Sequence, residues 1–174
     1  MILTTNRQIP YDSIPDKLVL EDQTIYVLEG RKITEKFFGE DGFTSVDDDP
    51  ENRKGGRLVI QADTQVAKDD PSGLGGTYHS EMFWIGTDTD KNAEDPKTWK
   101  SKDGVKYKQF LAAARVPLEG TLADADRVFK GQKFMALAST KEDKKGELRT
   151  RLNKQWPYGE VAPGPVGAIR TGGR

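Results

Sequence analysis

The chain has 174 residues, a length that suits one domain, and its 27 basic residues nearly balance its 28 acidic ones. With no cysteine and one histidine, it excludes disulfides, a cysteine nucleophile and any thiolate or multi-histidine metal site. A hydrophobic fraction of 34% and a charged fraction of 32% predict a modest core with long polar loops.

The first half of the chain predicts three strands rich in β-branched and aromatic residues. Polar segments that contain Pro or Gly separate them, so residues 41–56 and 68–76 are predicted to be loops or turns. Phe83 is expected in the core, and Trp84 has the opposite parity, so one of this pair should face outward. The predicted strands span residues 23–37, 57–67 and 77–88.

The hydrophobic period changes after the third strand, beyond a polar loop at 89–104. Residues 105–116 place apolar side chains such as Phe110 at helical spacing, and Pro117 is expected to end this helix. A shorter helical piece follows at 122–129. Two further strands, joined by a turn that contains Gly146, are predicted at residues 132–140 and 147–156.

This element order predicts a mainly β fold, a five-stranded OB-fold-like barrel with one main helix between its third and fourth strands. Residues 23–156 would form the barrel domain. Residues 1–22 are expected to be an extended arm, and residues 157–174, rich in Pro and Gly, a flexible tail.

Several motifs fail as catalytic or metal sites. The acidic stretches Asp47–Asp49 and Asp88–Asn92 have the spacing of metal ligands. A calcium-binding EF-hand loop that began at Asp88 would need Gly and Glu where this sequence has Ala93 and Trp99. His79 has no cysteine partner and cannot form a catalytic triad with the adjacent Ser80, so it is interpreted as a structural histidine. No catalytic constellation or phosphate-binding glycine motif is found, so the sequence favours a protein that is not an enzyme.

Charge and aromatic residues carry more information. Residues 1–103 hold 13 basic against 21 acidic residues, whereas residues 104–174 hold 14 against 7, which suggests a polyanion as partner of one face. Arg149 and Arg151 lie two residues apart on the last predicted strand, so their side chains share a face, and Asn153 continues that row. The residues of opposite parity, expected on the other face, are Leu148, Thr150, Leu152 and Trp156. Basic residues beside exposed rings suit single-stranded nucleic acid, which binds through its phosphates and stacks its bases. The residues expected to bind it are Tyr26, Arg57, Tyr78, Trp84, Lys133, Arg149 and Arg151.

The stretches FWIGTD and KQFLAAARV, then VFKGQKFMALAS and LRTRLNKQWPYGE, resemble a family of small phage proteins that bind single-stranded DNA in recombination and replication modules. The resemblance covers about residues 57–160. It implies an OB-like barrel, single-stranded DNA as ligand and no cofactor. Carried over by position, Tyr78, Trp84, Lys133, Arg149 and Arg151 would contact DNA.

Two other function classes stay open. A phage structural or assembly protein could use the same barrel as an oligomerisation module, and a small nuclease or nuclease inhibitor is a third reading. The sequence leaves open whether the chain is a homo-oligomer, whether it meets phage recombination or replication proteins, and whether it prefers DNA or RNA. No apolar run reaches membrane-spanning length and no signal peptide is recognised, so we expect a soluble protein in the host cytoplasm without membrane contact.

Overall fold

The computed structural model describes residues 6–8, 10–13, 23–39, 42–45, 57–86, 99–162 and 170–171. The fold is mainly β, as predicted. Its strands are β1 (Thr24–Gly39), β2 (Gly42–Ser45), β3 (Arg57–Val66), β4 (Tyr78–Trp84), β5 (Lys133–Glu142), β6 (Leu148–Pro157) and β7 (Arg170–Thr171). Its helices are α1 (Lys102–Ala113) and α2 (Leu122–Phe129), and Tyr11–Ser13 form one 3-10 turn.

The strands form one sheet in the order β4-β3-β1-β5-β6. β1 is the long central strand, and β2 and β7 pair with its two ends. All pairings are antiparallel except that of β7. In the described part of the chain no ladder joins the edge strands β4 and β6, so the sheet stays open at this point instead of closing into a barrel.

One face of the sheet, here called the inner face, packs on the main core. Phe83 is buried in it, as predicted, together with Phe110 and Phe134. The ring centroid of Phe110 lies 5.4 Å from that of Phe83 and 5.1 Å from that of Phe134. β3 alternates, with Leu58 and Ile60 buried and its odd-numbered positions half-exposed except for the buried Val59. The opposite side of the sheet is the outer face. No helix in the described residues is long and apolar enough to span a membrane.

The main helix lies one turn earlier than the sequence predicts. Ser101 caps its start by accepting a hydrogen bond from the Gly104 N–H at 3.1 Å. At the other end Arg115 takes a positive φ of 56°, which terminates the helix before Pro117. α1 contacts both β4 and β6 and covers the open side of the sheet, whereas α2, which has the predicted bounds, packs on β1.

Two β-bulges change the direction of the side chains that follow them. β1 bulges between Gly30 and Lys32, and a Cβ on Gly30 would lie 2.2 Å from the carbonyl oxygen of Phe129, so only glycine permits this approach of α2. β6 bulges at Asn153, because Leu137 pairs with Lys154 and Ala138 with Leu152.

The second bulge contradicts the parity predicted for the last strand. Leu152 stays in the main core, but Trp156 points to the outer face, where it packs in a separate cluster with Ile25 and Leu137. A single extra residue reverses the alternation, so the two side chains cannot share a face.

Two segments predicted as irregular contribute strands. β2 lies within the predicted loop 41–56. β7 lies within the predicted flexible tail and pairs with β1 at Thr24 and Ile25. Most of the predicted arm at 1–22, and residues 163–169 and 172–174 of the tail, lie outside the described residues.

Candidate nucleic-acid interface

Aromatic side chains gather at one end of the outer face. Phe38 and Trp84 reach this face from β1 and β4, and Phe43 joins them from β2. The ring centroids of Phe38 and Phe43 are 4.9 Å apart, and both rings lie within 6.0 Å of the Trp84 ring. Phe38 is 42% exposed and Phe43 48%. We call these three residues the aromatic cluster, and it offers stacking surface to solvent.

Each end of the outer face has cations beside its rings. The guanidinium carbon of Arg57 lies 5.3 Å from the Trp84 ring centroid, and Lys36 Nζ lies 5.9 Å from that of Phe43. At the other end of β4, Arg31 lies 4.6 Å from the ring of Tyr78, which is 55% exposed. These distances are those of cation–π contacts.

Polar contacts hold these cations in place. Arg57 Nε donates to the carbonyl oxygen of Gly86 at 2.6 Å. Arg31 donates to the side-chain oxygen of Gln65 at 2.8 Å, and Lys36 donates to that of Gln61 at the same distance. These hydrogen-bond partners are uncharged, so they do not offset the charge of the three cations.

A groove runs between the edge strands β4 and β6, with α1 beside it. Its cavity volume is about 980 Å³. Tyr78 and Trp84 border it from β4, Arg149 and Arg151 from β6, and Lys106 from α1. The structure thus brings four of the predicted site residues around one groove, and Arg57 adjoins it through Trp84.

The two arginines of β6 differ in charge balance. Arg149 donates to the Asp143 carboxylate at 2.7 Å and lies 3.7 Å from that of Glu147. Hydrogen bonding to Arg149 lowers the pKa of Asp143, and in return the pKa of Arg149 is raised. Arg151 is exposed and forms no ion pair with the described residues. Of the two arginines, Arg151 is therefore the one whose charge no described carboxylate balances.

Two predicted residues lie away from this groove. Tyr26 is only 1% exposed and packs in the main core, so its predicted role as a stacking ring is wrong: parity turns this side chain inward with Leu28. Lys133 is on the outer face at the start of β5, where it contacts Asp69 at 3.2 Å.

Sequence reasoning missed Phe38, Phe43, Arg31 and Lys36. Phe38 follows the buried Phe37, and adjacent strand residues face opposite sides of a sheet. Alternation therefore predicts that one of these two rings faces outward. Phe43 lies in a segment predicted to be a loop, and a loop has no strand alternation from which its side could be predicted.

Candidate metal ligands are dispersed in the described part of the chain. No three acidic or histidine side chains come together there as metal ligands would. The acidic stretches Asp47–Asp49 and Asp88–Asn92 lie outside the described residues. His79 is half-buried and its Nε2 lies 2.7 Å from the Glu81 carboxylate, an arrangement that fits the structural role predicted for it.

No protein-family model and no curated protein sequence matches the chain. What this surface binds is therefore inferred from its own chemistry.

Proposed function

We propose that the protein binds single-stranded DNA with little sequence preference, coating single strands in phage replication or recombination. The observation that carries the proposal is the repeated pairing of an exposed or half-buried ring with a cation on the outer face: half-buried Trp84 with Arg57, exposed Phe43 with Lys36, and exposed Tyr78 with Arg31. Every base has a π-face that can stack on such a ring, while the adjacent cation neutralises a phosphate.

The spacing of these pairs suits an extended ligand. Trp84 and Tyr78 stand six residues apart on β4, which is about 20 Å along a strand. Stacking contributes about 1–3 kcal/mol per base, so two or three rings give useful affinity without base-specific contacts. Arg151 and Lys106, across the groove, would hold phosphates on its far side.

We further propose that the fold is an OB-fold-like barrel with one open seam. The strand order β4-β3-β1-β5-β6, with a helix inserted in the chain between β4 and β5, supports this assignment. OB folds are partly open five-stranded barrels that bind oligonucleotides on the outer face of their second and third strands. The corresponding strands here are β3 and β4, which carry Arg57, Trp84 and Tyr78.

Intrinsic tryptophan fluorescence tests the proposal. Of the three tryptophans, Trp84 lies in the aromatic cluster, whereas Trp99 packs against the main core and Trp156 is 5% exposed in the outer cluster. Titration with a single-stranded oligonucleotide should quench the fluorescence, more weakly as salt rises, and duplex DNA should not. W84F should remove most of the quenching, and W156F, the matched control, should keep it.

The opposite result is equally informative. If no oligonucleotide changes the fluorescence at low salt, the DNA-binding proposal falls. Light scattering would then test whether the exposed aromatic cluster joins copies of the chain, as an assembly protein requires. A parallel titration with RNA of the same sequence decides between the two nucleic acids.

A further inference from the structure

A fourth ring–cation pair lies on the outer face, far from the aromatic cluster. Tyr158 directly follows β6 and is 45% exposed. Lys133 Nζ lies 5.7 Å from its ring centroid. Lys133 opens β5 and has the opposite parity to the fully buried Phe134, so its side chain leaves the sheet on the outer face.

Strand register connects this pair with Tyr78. Tyr78 pairs with Gln65, Gln65 with Glu29, and Glu29 with Lys133. Residues paired across a sheet share a face, so these four side chains form one row across β4, β3, β1 and β5. Three strand spacings of about 4.8 Å make this row roughly 14 Å long.

The row carries a cation near each end and one acid between them. Arg31 and Lys133 stand near its two ends, and Glu29 lies between them, where a phosphate would be repelled. Lys133 is held by Asp69 at 3.2 Å, but both side chains are more than a third exposed. Such surface pairs are weak, so Lys133 can exchange Asp69 for a phosphate.

We infer that the bound strand follows β4 from the aromatic cluster to Tyr78 and then turns across the sheet, with Tyr158 as a further stacking ring and Lys133 as its phosphate ligand. This inference rests on the proposed function. It places Lys133, an accessible predicted residue that lies away from the groove, on the same part of the outer face as Tyr78.

The test is an oligonucleotide length series measured by fluorescence anisotropy. Affinity should rise with length and level off within the range of about 4–16 nucleotides seen for OB folds. Removing the ring in Y158A should lower the plateau affinity at least about fivefold, the lower end of a base–aromatic stack. The plateau should also be reached at a length shorter by roughly two to four nucleotides, since a stacked strand rises 3.4 Å per nucleotide and an extended strand more.

Two variants control for incidental effects. Y158F keeps the ring and should bind like the unmodified protein. V161A removes an 87% exposed side chain from the same segment and should change nothing. Equal thermal unfolding temperatures of all variants would exclude a folding defect.

The outcomes separate the two proposals. If the unmodified protein binds oligonucleotides and Y158A has the same plateau affinity and length, the inference about Tyr158 is wrong and the proposed function stands. If the unmodified protein binds none of the oligonucleotides, the proposed function itself is wrong.

Discussion

The carboxylate of Glu81 on β4 accepts a hydrogen bond from the backbone N–H of Leu152 on β6, at 2.8 Å. The same oxygen lies 2.7 Å from Nε2 of His79. β4 and β6 run in the same direction on the two open edges of the sheet, and no ladder joins them in the described residues. This side chain therefore links the two walls of the groove directly.

Replacing Glu81 by Ala should destabilise the protein by about 1–3 kcal/mol, because the buried N–H of Leu152 loses its acceptor. Glu81→Gln keeps a side-chain oxygen and should lose less. Urea unfolding measures both. Glu119→Ala, in the exposed turn before α2, is the control for removing a carboxylate. Equal stabilities of the Glu81 and Glu119 alanine variants would contradict the bridging role.

The salt dependence of DNA binding should separate the two arginines of β6. Each phosphate contact on a single strand contributes about −0.7 to the slope of log affinity against log salt. Arg151→Ala should therefore flatten the slope by about 0.7. Arg149→Ala should have a smaller effect, because Asp143 and Glu147 already balance its charge.

Lys108→Ala provides the control for this comparison, since Lys108 is exposed on α1 and does not border the groove. Its slope should equal that of the unmodified protein. An unchanged slope for Arg151→Ala would remove that residue from the binding surface.

Much of the fold follows from sequence because each element carries a local signal. Alternation marks β3, the helical period marks α1, and Thr121 and Asp124 form a capping box that starts α2 where it is predicted. The errors arise where one residue changes the geometry. Arg115 adopts a conformation that usually requires glycine, and the bulge at Asn153 reverses the alternation of β6.

The site was harder to predict than the fold because it depends on register between distant strands. Arg57 and Trp84 become neighbours only through the pairing of β3 with β4. Tyr26 was misassigned since Ile25 and Val27 are also apolar, so parity alone could not decide which side of this strand faces the core. In the structure the side chain of Leu28 faces the core, and Tyr26, two residues away on the same strand, faces the core as well.

Stability should fall at acid pH partly through Asp124. Hydrogen bonds from Thr121 and Arg127 lower its pKa below the ordinary value of 3.8. Because the folded pKa is the lower one, this contribution is complete above about pH 3.8 and is lost as the pH falls through the folded value. Asp124→Asn should lower the unfolding temperature at neutral pH, and the difference from the unmodified protein should shrink below that range.

Thermal unfolding followed by circular dichroism over an acid pH series measures this convergence. Glu119→Gln, which removes the same charge outside the helix, is the control. A difference between Asp124→Asn and the unmodified protein that stays constant with pH would show that the charge of Asp124 contributes nothing to the cap.

Replacing Arg115 by Gly should stabilise the protein. Arg115 follows the last residue of the α1 cap with φ at 56°, while the N–H of Val116 returns to the carbonyl of Leu111 at 2.9 Å. This is the position at which helices favour glycine, and a left-handed conformation costs other residues about 1–2 kcal/mol.

The glycine variant loses an ion pair with Glu160, but that contact is 3.7 Å long and both side chains are more than half exposed, so it contributes at most about 1 kcal/mol. The expected net gain is up to about 1 kcal/mol in urea unfolding. Arg115→Ala loses the same ion pair and keeps the strain, so it should be less stable than the glycine variant; equal stabilities would contradict the strain at this position.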